Sequence, residues 1–173
     1  MNNNTFVHKY IKPLLDKNKV SVDMTLGNGN DAYMLAQKCK HVYGFDVAQE
    51  AIEKSKERLK EFENVTLIND SHVNVDKYVN EDVFLFIFNL GYLPHSDVIS
   101  TTKASDSLIA FKKAYELLQD KGYIVITFYL GHQGGKDEYY LLDSHIHKNR
   151  IPVMESYRQD KTDSPVTYII RKD

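Results

Sequence analysis

A β-branched run that ends in a carboxylate, passes two glycines one residue apart and opens straight into a helical pattern stands at Val20-Ser21-Val22-Asp23-Met24-Thr25-Leu26-Gly27-Asn28-Gly29-Asn30-Asp31. Apolar Ala32, Leu35 and Ala36 follow at helical spacing, so the stretch reads as strand, tight turn and helix, the helix over residues 30–39. Only a residue without Cβ takes positive φ cheaply and lets a ligand lie against the backbone. Further on, Val42-Tyr43-Gly44-Phe45-Asp46 reads as a second strand ending in an acid, at a distance from the glycines that suits a carboxylate gripping a ribose diol. The turn is therefore a candidate seat for a nucleoside-bearing ligand.

A Gly-x-Gly pair alone does not say which ligand. A pyrophosphate site wants a third glycine where the helix starts, so that phosphate can sit against free N–H groups. Here Asn30 and Asp31 hold that place, and Asp23 adds a second acid. Carboxylates suit the positive end of a helix dipole but repel a pyrophosphate. A ligand without phosphate and with a cationic end fits better, and S-adenosylmethionine, with its ammonium and sulfonium, is such a ligand.

At 173 residues the chain is expected to be one domain, residues 1–173, long enough for a complete α/β core. Hydrophobic content of 42% and charged content of 27% are those of an ordinary globular protein. No apolar run approaches the ~20 residues of a membrane span and the first residues lack a signal-peptide pattern, so a cytoplasmic protein without a membrane partner is expected. The single cysteine, Cys39, has no partner for a disulfide or a structural zinc site, and no metal is expected. A net charge of −2 argues against bulk electrostatic coating of nucleic acid. Basic residues gather in the second half, among them Lys112, Lys113, Lys136, Arg158, Arg171 and Lys172, and a solvated surface competes with a local basic face for their explanation.

Along the chain, residues 4–17 read as a helix interrupted at Pro13, and residues 64–69 and 83–88 as further strands, the second apolar enough to be covered on both faces. A strongly amphipathic helix starts at Ala48, and another is expected over residues 105–118, stopped by Asp120-Lys121-Gly122. Residues 123–130 form a strand, 137–147 a helix, and 153–157 and 166–170 two strands joined by a short turn, hence antiparallel. Alternation of this kind predicts a seven-stranded, mostly parallel sheet with helices on both faces and one reversed strand near the C-terminus. Ligands in such sheets bind at the carboxyl ends of the strands, where every unusual local sequence of this chain falls.

Together, Asp23-Met24-Thr25-Leu26-Gly27-Asn28-Gly29-Asn30-Asp31, Asn89-Leu90-Gly91-Tyr92-Leu93-Pro94 and Gly131-His132-Gln133-Gly134-Gly135 with Glu138 resemble the Rossmann-like class I methyltransferases. More narrowly, they resemble the small bacterial family long described as rRNA methylases, whose members methylate the aminomethyl group of 5-aminomethyl-2-thiouridine at the tRNA wobble position. The resemblance implies S-adenosylmethionine as cofactor, S-adenosylhomocysteine as product and the tRNA anticodon loop as partner; a homodimer is a candidate assembly that the sequence leaves open. It implies a cofactor site of Asp23, Thr25, Gly27, Asn28, Gly29, Asn30, Asp31, Asp46, Val47, Asp70, Ser71, His72, Asn89, Leu90 and Gly91. Asp46 would take the ribose hydroxyls, or cap the following helix; Asp70 and His72 would flank the adenine, or serve a local cap.

Asn89 would accept a hydrogen bond from the target nitrogen and aim its lone pair at the methyl. With Tyr92 and His132 it makes the catalytic set. Tyr92, Leu93, Pro94, His132, Gly134 and Gly135 would contact the substrate, although Tyr92 also reads as a packed aromatic and His132 as a solvated loop residue. The competing functions are methylation of an rRNA base or a small molecule, a nucleotide-binding module, and a dehydrogenase with a variant turn.

Overall fold

The apolar run at residues 83–88 becomes the middle of the sheet. The computed structural model describes residues 1–91, 104–159 and 163–173. Its strands are β1 (Val20–Asp23), β2 (His41–Phe45), β3 (Val65–Ile68), β4 (Val83–Leu90), β5 (Leu118–Phe128), β6 (Val153–Arg158) and β7 (Val166–Arg171). They form a seven-stranded sheet in the order β3-β2-β1-β4-β5-β7-β6, with β4 at the centre. All neighbours from β3 through β5 pair in parallel, and β7 runs antiparallel to both β5 and β6. The reversed strand near the C-terminus is thus β7.

The helices are α1 (Asn3–Ile11), α2 (Asn30–Ala36), α3 (Gln49–Leu59), α4 (Val75–Tyr78), α5 (Ala104–Leu117) and α6 (Gly135–Lys148). Successive side chains of a strand point to opposite faces, and β4 sorts the two layers accordingly. Phe86, Phe88 and Leu90 pack with Phe111 and Ala114 of α5 and Leu142 and Ile146 of α6. Leu85 and Ile87 pack with Val7 and Ile11 of α1, Leu35 of α2 and Ile52 of α3. Asn89 follows Ile87 by two residues, so its side chain falls on the α1 and α2 side of the sheet.

Pro13 acts as predicted: α1 stops at Ile11 and Lys12–Leu14 continues as a 3-10 turn, because proline at the start of a turn gives up an N–H that has no partner there anyway. Several elements differ from expectation, among them β4, which runs past residue 88 to Leu90. α2 ends at Ala36, three residues early. The stop at Asp120-Lys121-Gly122 lies inside β5, which starts at Leu118 and passes an irregularity where Lys121 takes φ 62°. A 3-10 turn, His72–Asn74, and the four-residue α4 follow β3, where no helix was expected. No helix among the described residues is long and apolar enough to cross a membrane.

Candidate cofactor and acceptor site

Strand order reverses between β1 and β4, which leaves a crevice at their carboxyl ends. The end of β1 is pinned on both sides: Met24 N–H donates to the Ile87 carbonyl and Leu26 N–H to the Phe45 carbonyl, each at 2.9 Å. The turn that follows needs its glycines. Gly27 and Gly29 take φ 51° and 74°, and a Cβ on Gly29 would stand 2.9 Å from Ser55 Oγ of α3. Ser55 Oγ in turn donates to the Gly27 carbonyl at 3.2 Å. Asn28 and Asn30 are exposed at the lip of this turn.

Three carboxylates ring the crevice. Asp23 is 1% exposed and accepts from Thr25 N–H at 3.1 Å. Burial, with the negative Asp31 beside it, pushes its carboxyl well above the ordinary range. Asp46 braces the turn, accepting from Gly27 N–H through Oδ2 and from Ala48 N–H through Oδ1, both at 2.9 Å. It thereby does the capping work the sequence allowed, and a carboxylate has lone pairs left for further donors. Val47 is exposed next to it, and Asn69 Nδ2 fastens this corner by donating to the Asp46 and Val47 carbonyls.

Asp31 is the hub of the third edge. Its Oδ1 lies 2.7 Å from His8 Nε2 of α1, and its Oδ2 accepts from Asn89 Nδ2 at 2.9 Å. Asn89 N–H donates to Thr25 Oγ1 at 2.8 Å. A carboxylate can only accept, so the amide must present its NH2 to Asp31, and Oδ1 is directed away as an acceptor. The side chain of Asn89 is therefore fixed by Asp31 of α2, and its backbone by Thr25 in the turn past β1, at the end of the central strand. Leu90 is buried behind it and Gly91 turns the chain at φ 79°.

His72 is buried at the α5 side of the crevice, its ring tilted against Phe88. Its Nδ1 lies 2.8 Å from the Met24 carbonyl and so carries the proton, which leaves Nε2 as the acceptor of the neutral ring. Burial pushes the imidazole down from its usual range, against the pull of the Met24 bond. Nε2 has no hydrogen-bond partner among the described residues. Asp70, expected at the adenine, is occupied by the protein's own donors: Ser71 N–H at 2.7 Å, Asn74 Nδ2 at 3.0 Å and Tyr78 Oη at 2.9 Å. These hydrogen bonds hold its carboxyl below the usual range. Ser71 caps the 3-10 turn by accepting from Val73 N–H. The local-cap alternative describes Asp70 as the structure places it.

On the acceptor side, His132 is exposed in the loop before α6, edge-on to Tyr129 at 6.1 Å. Gly134 takes φ 81° as the residue preceding α6, and a Cβ on Gly135 would stand 2.2 Å from the Tyr129 carbonyl oxygen. Backbone conformation at Gly134 and packing at Gly135 each ask for glycine. Gly135→Ala should cost at least ~1–3 kcal/mol, since the obstruction is backbone rather than a yielding side chain, and a thermal melt reads it directly. Tyr92, Leu93 and Pro94 lie outside the described residues. Several of the basic side chains are engaged within the fold: Lys113 with Asp76, Lys136 with Asp163, and Lys172 with the Tyr115 and Leu118 carbonyls.

The family described as "Putative rRNA methylase" matches residues 42–172 of this chain. The chain belongs to that family. It is similar to a Streptococcus mutans putative methyltransferase solved in complex with SAH, at 33% identity and a TM-score of 0.90, covering 100% of this chain and 99% of that one. An rRNA methylase from Streptococcus thermophilus superposes with a TM-score of 0.82 at 31% identity, over 99% of this chain and 97% of that one. The chloroplastic tRNA (mnm(5)s(2)U34)-methyltransferase of Arabidopsis thaliana is 33% identical over 147 residues, 76% of this chain and 54% of that protein. The chain thus spans about half the length of that relative. The rRNA methylase family fold, the Rossmann-like fold of class I methyltransferases, is the fold found here.

Within this family member, the sequence reading missed His8, Asn69 and Ser55. His8 and Asp31 are 23 positions apart and meet only because α1 folds over the start of α2. A lone histidine on an amphipathic helix carries no local sign of such a partner.

Proposed function

We propose that this chain is an S-adenosylmethionine-dependent N-methyltransferase that converts the aminomethyl group of 5-aminomethyl-(2-thio)uridine at the tRNA wobble position to methylaminomethyl. The observation that carries the reading is the Asn89 amide, whose NH2 is taken by Asp31 while its backbone is pinned to Thr25, which leaves the carbonyl oxygen as an acceptor beside an acid-lined glycine turn. A nitrogen nucleophile needs such an acceptor to align its lone pair. A pyrophosphate would meet Asp23, Asp31 and Asp46 together, so a dinucleotide is disfavoured.

The residues present fit the cofactor. Asp23 and Asp31 suit its ammonium, Gly27 and Gly29 let it approach the backbone, and Asp46 keeps lone pairs for the ribose hydroxyls. Thr25, Asn28, Asn30, Val47, Ser71, Leu90 and Gly91 complete the wall, and the buried Nε2 of His72 offers an acceptor toward the adenine side. When bound, S-adenosylmethionine supplies a methyl already activated by its sulfonium, so positioning contributes most of the catalysis. Asn89 orients the amine, and His132, Gly134 and Gly135 lie on the substrate side. A wobble base lies in a single-stranded loop and can be splayed into a pocket without melting a duplex, which needs little net positive charge. The protein would act on tRNA in the cytoplasm.

The test is transfer of labelled methyl from S-adenosylmethionine to tRNA that carries the aminomethyl precursor. Label is expected in the wobble nucleoside. Label that enters only rRNA, or that enters tRNA lacking the precursor equally well, would overturn the assignment.

A further inference from the structure

The chemistry described so far leaves one step unassigned. An alkyl amine near the Lys value of ~10.4 arrives at neutral pH as an ammonium, which has no lone pair to offer. Glu138, in the first turn of α6, is 3% exposed. Its Oε1 accepts from Ser107 Oγ of α5 at 2.5 Å. Its Oε2 stands 3.6 Å from the point where Gly91 would carry a Cβ, and the Tyr129 carbonyl and Gly135 Cα close the same spot at 3.3 and 3.5 Å. The carboxyl therefore abuts the turn by which the chain leaves β4, two residues past Asn89.

Among the described residues, Ser107 is the donor that serves this carboxyl, and no cation pairs with it. Burial pushes it above the usual range and the Ser107 bond draws it partway back. The ionisable side chains nearest along the elements around it, Asp106 on α5, His132 before α6, and Asp137 and Tyr139 on α6, add no charge that moves it. A buried carboxyl without a cation costs folding free energy and marks a place where a cationic ligand would be welcome.

Resting on the reading above, we propose that Glu138 takes the proton from the substrate ammonium, and so selects a primary aliphatic amine over a neutral ring nitrogen. One N–H bond breaks, its electron pair stays on nitrogen, and an O–H bond forms on the carboxylate. The nitrogen pair then forms the new N–C bond as the methyl–sulfonium bond breaks with its electrons retained by sulfur. The product leaves as a secondary ammonium, and the carboxyl returns its proton to water before the next turnover.

Single-turnover methyl transfer to an anticodon stem-loop carrying 5-aminomethyluridine, followed across pH, tests this. Glu138→Gln should be slower by ~10²-fold or more at neutral pH and regain rate as pH approaches the amine's own pKa, with affinity for S-adenosylhomocysteine unchanged. Ser107→Ala should move the acid limb of the wild-type profile to higher pH, because it removes the bond that lowers Glu138. A Glu138→Gln profile matching wild type overturns the inference and leaves the methyltransferase reading standing. Failure of the wild type to methylate the stem-loop overturns both. Should Glu138→Gln not fold by circular dichroism, the Ser107→Ala profile decides, and an unmoved limb overturns the proposal.

Discussion

Asn89→Ala should abolish methyl transfer, by ~10²-fold at the least, while leaving affinity for S-adenosylhomocysteine within a few-fold of wild type. The side chain reaches Asp31 and no other described side chain, and the pinning of β4 to Thr25 runs through the Asn89 backbone, which alanine keeps. What is lost is the oriented carbonyl. Asn89→Asp sharpens the test, since it sets a carboxylate where Asp31 now receives an N–H. Two acids cannot both stay charged there, so the pair must take up a proton or swing apart. That variant should also fail in transfer, despite offering two acceptor oxygens. Calorimetric titration with the demethylated cofactor separates binding from chemistry; parallel loss of both would remove Asn89 from the acceptor role.

How far this site was legible depends on whether each residue's partner is local. The glycine turn was, because positive φ at Gly27 and Gly29 is a backbone requirement written in the residue type. So was the place of β4, since a strand covered on both faces must be apolar at every position; Asn89, expected just past its end, proves to lie within it. Asp46 was legible as a carboxylate at a strand end, but its two roles are chemically alike, and only the geometry shows that bracing Gly27 and Ala48 engages one lone pair of each oxygen. Asp70 shows the limit. Its partners Asn74 and Tyr78 sit four and eight residues on, in a 3-10 turn and a four-residue helix too short to leave a periodic signal. The contact of His8 with Asp31, and the approach of Glu138 to Gly91, arise from helices packed on opposite faces of the sheet, and nothing local announces them.

Asp23→Asn should change folding stability and cofactor affinity in opposite directions. The wild-type carboxyl has a folded pKa raised well above its unfolded value by burial and by Asp31, so the folded state holds that proton more tightly. Its contribution to stability is therefore greatest below the ordinary carboxylate pKa and is lost as pH rises from there to the raised folded value. As pH climbs through that window the cost grows by about 1.4 kcal/mol for each unit. The amide carries no such cost and its oxygen still accepts from Thr25 N–H, so the free variant should melt higher at neutral pH, by ~2–4 °C for each kcal/mol recovered, and show no gain at acid pH. Binding reverses the sign. A ligand cation beside Asp23 favours the charged carboxylate, so wild-type affinity should rise with pH through the same window, with a proton released on binding. The variant has no proton to release and no charge to offer, and should bind S-adenosylhomocysteine ~10-fold or more weakly, in line with the ~1.5–3 kcal/mol of a charged hydrogen bond. A variant that gains stability yet binds as well as wild type would show that the ammonium lies elsewhere, with Asp31 the remaining acid of the pair.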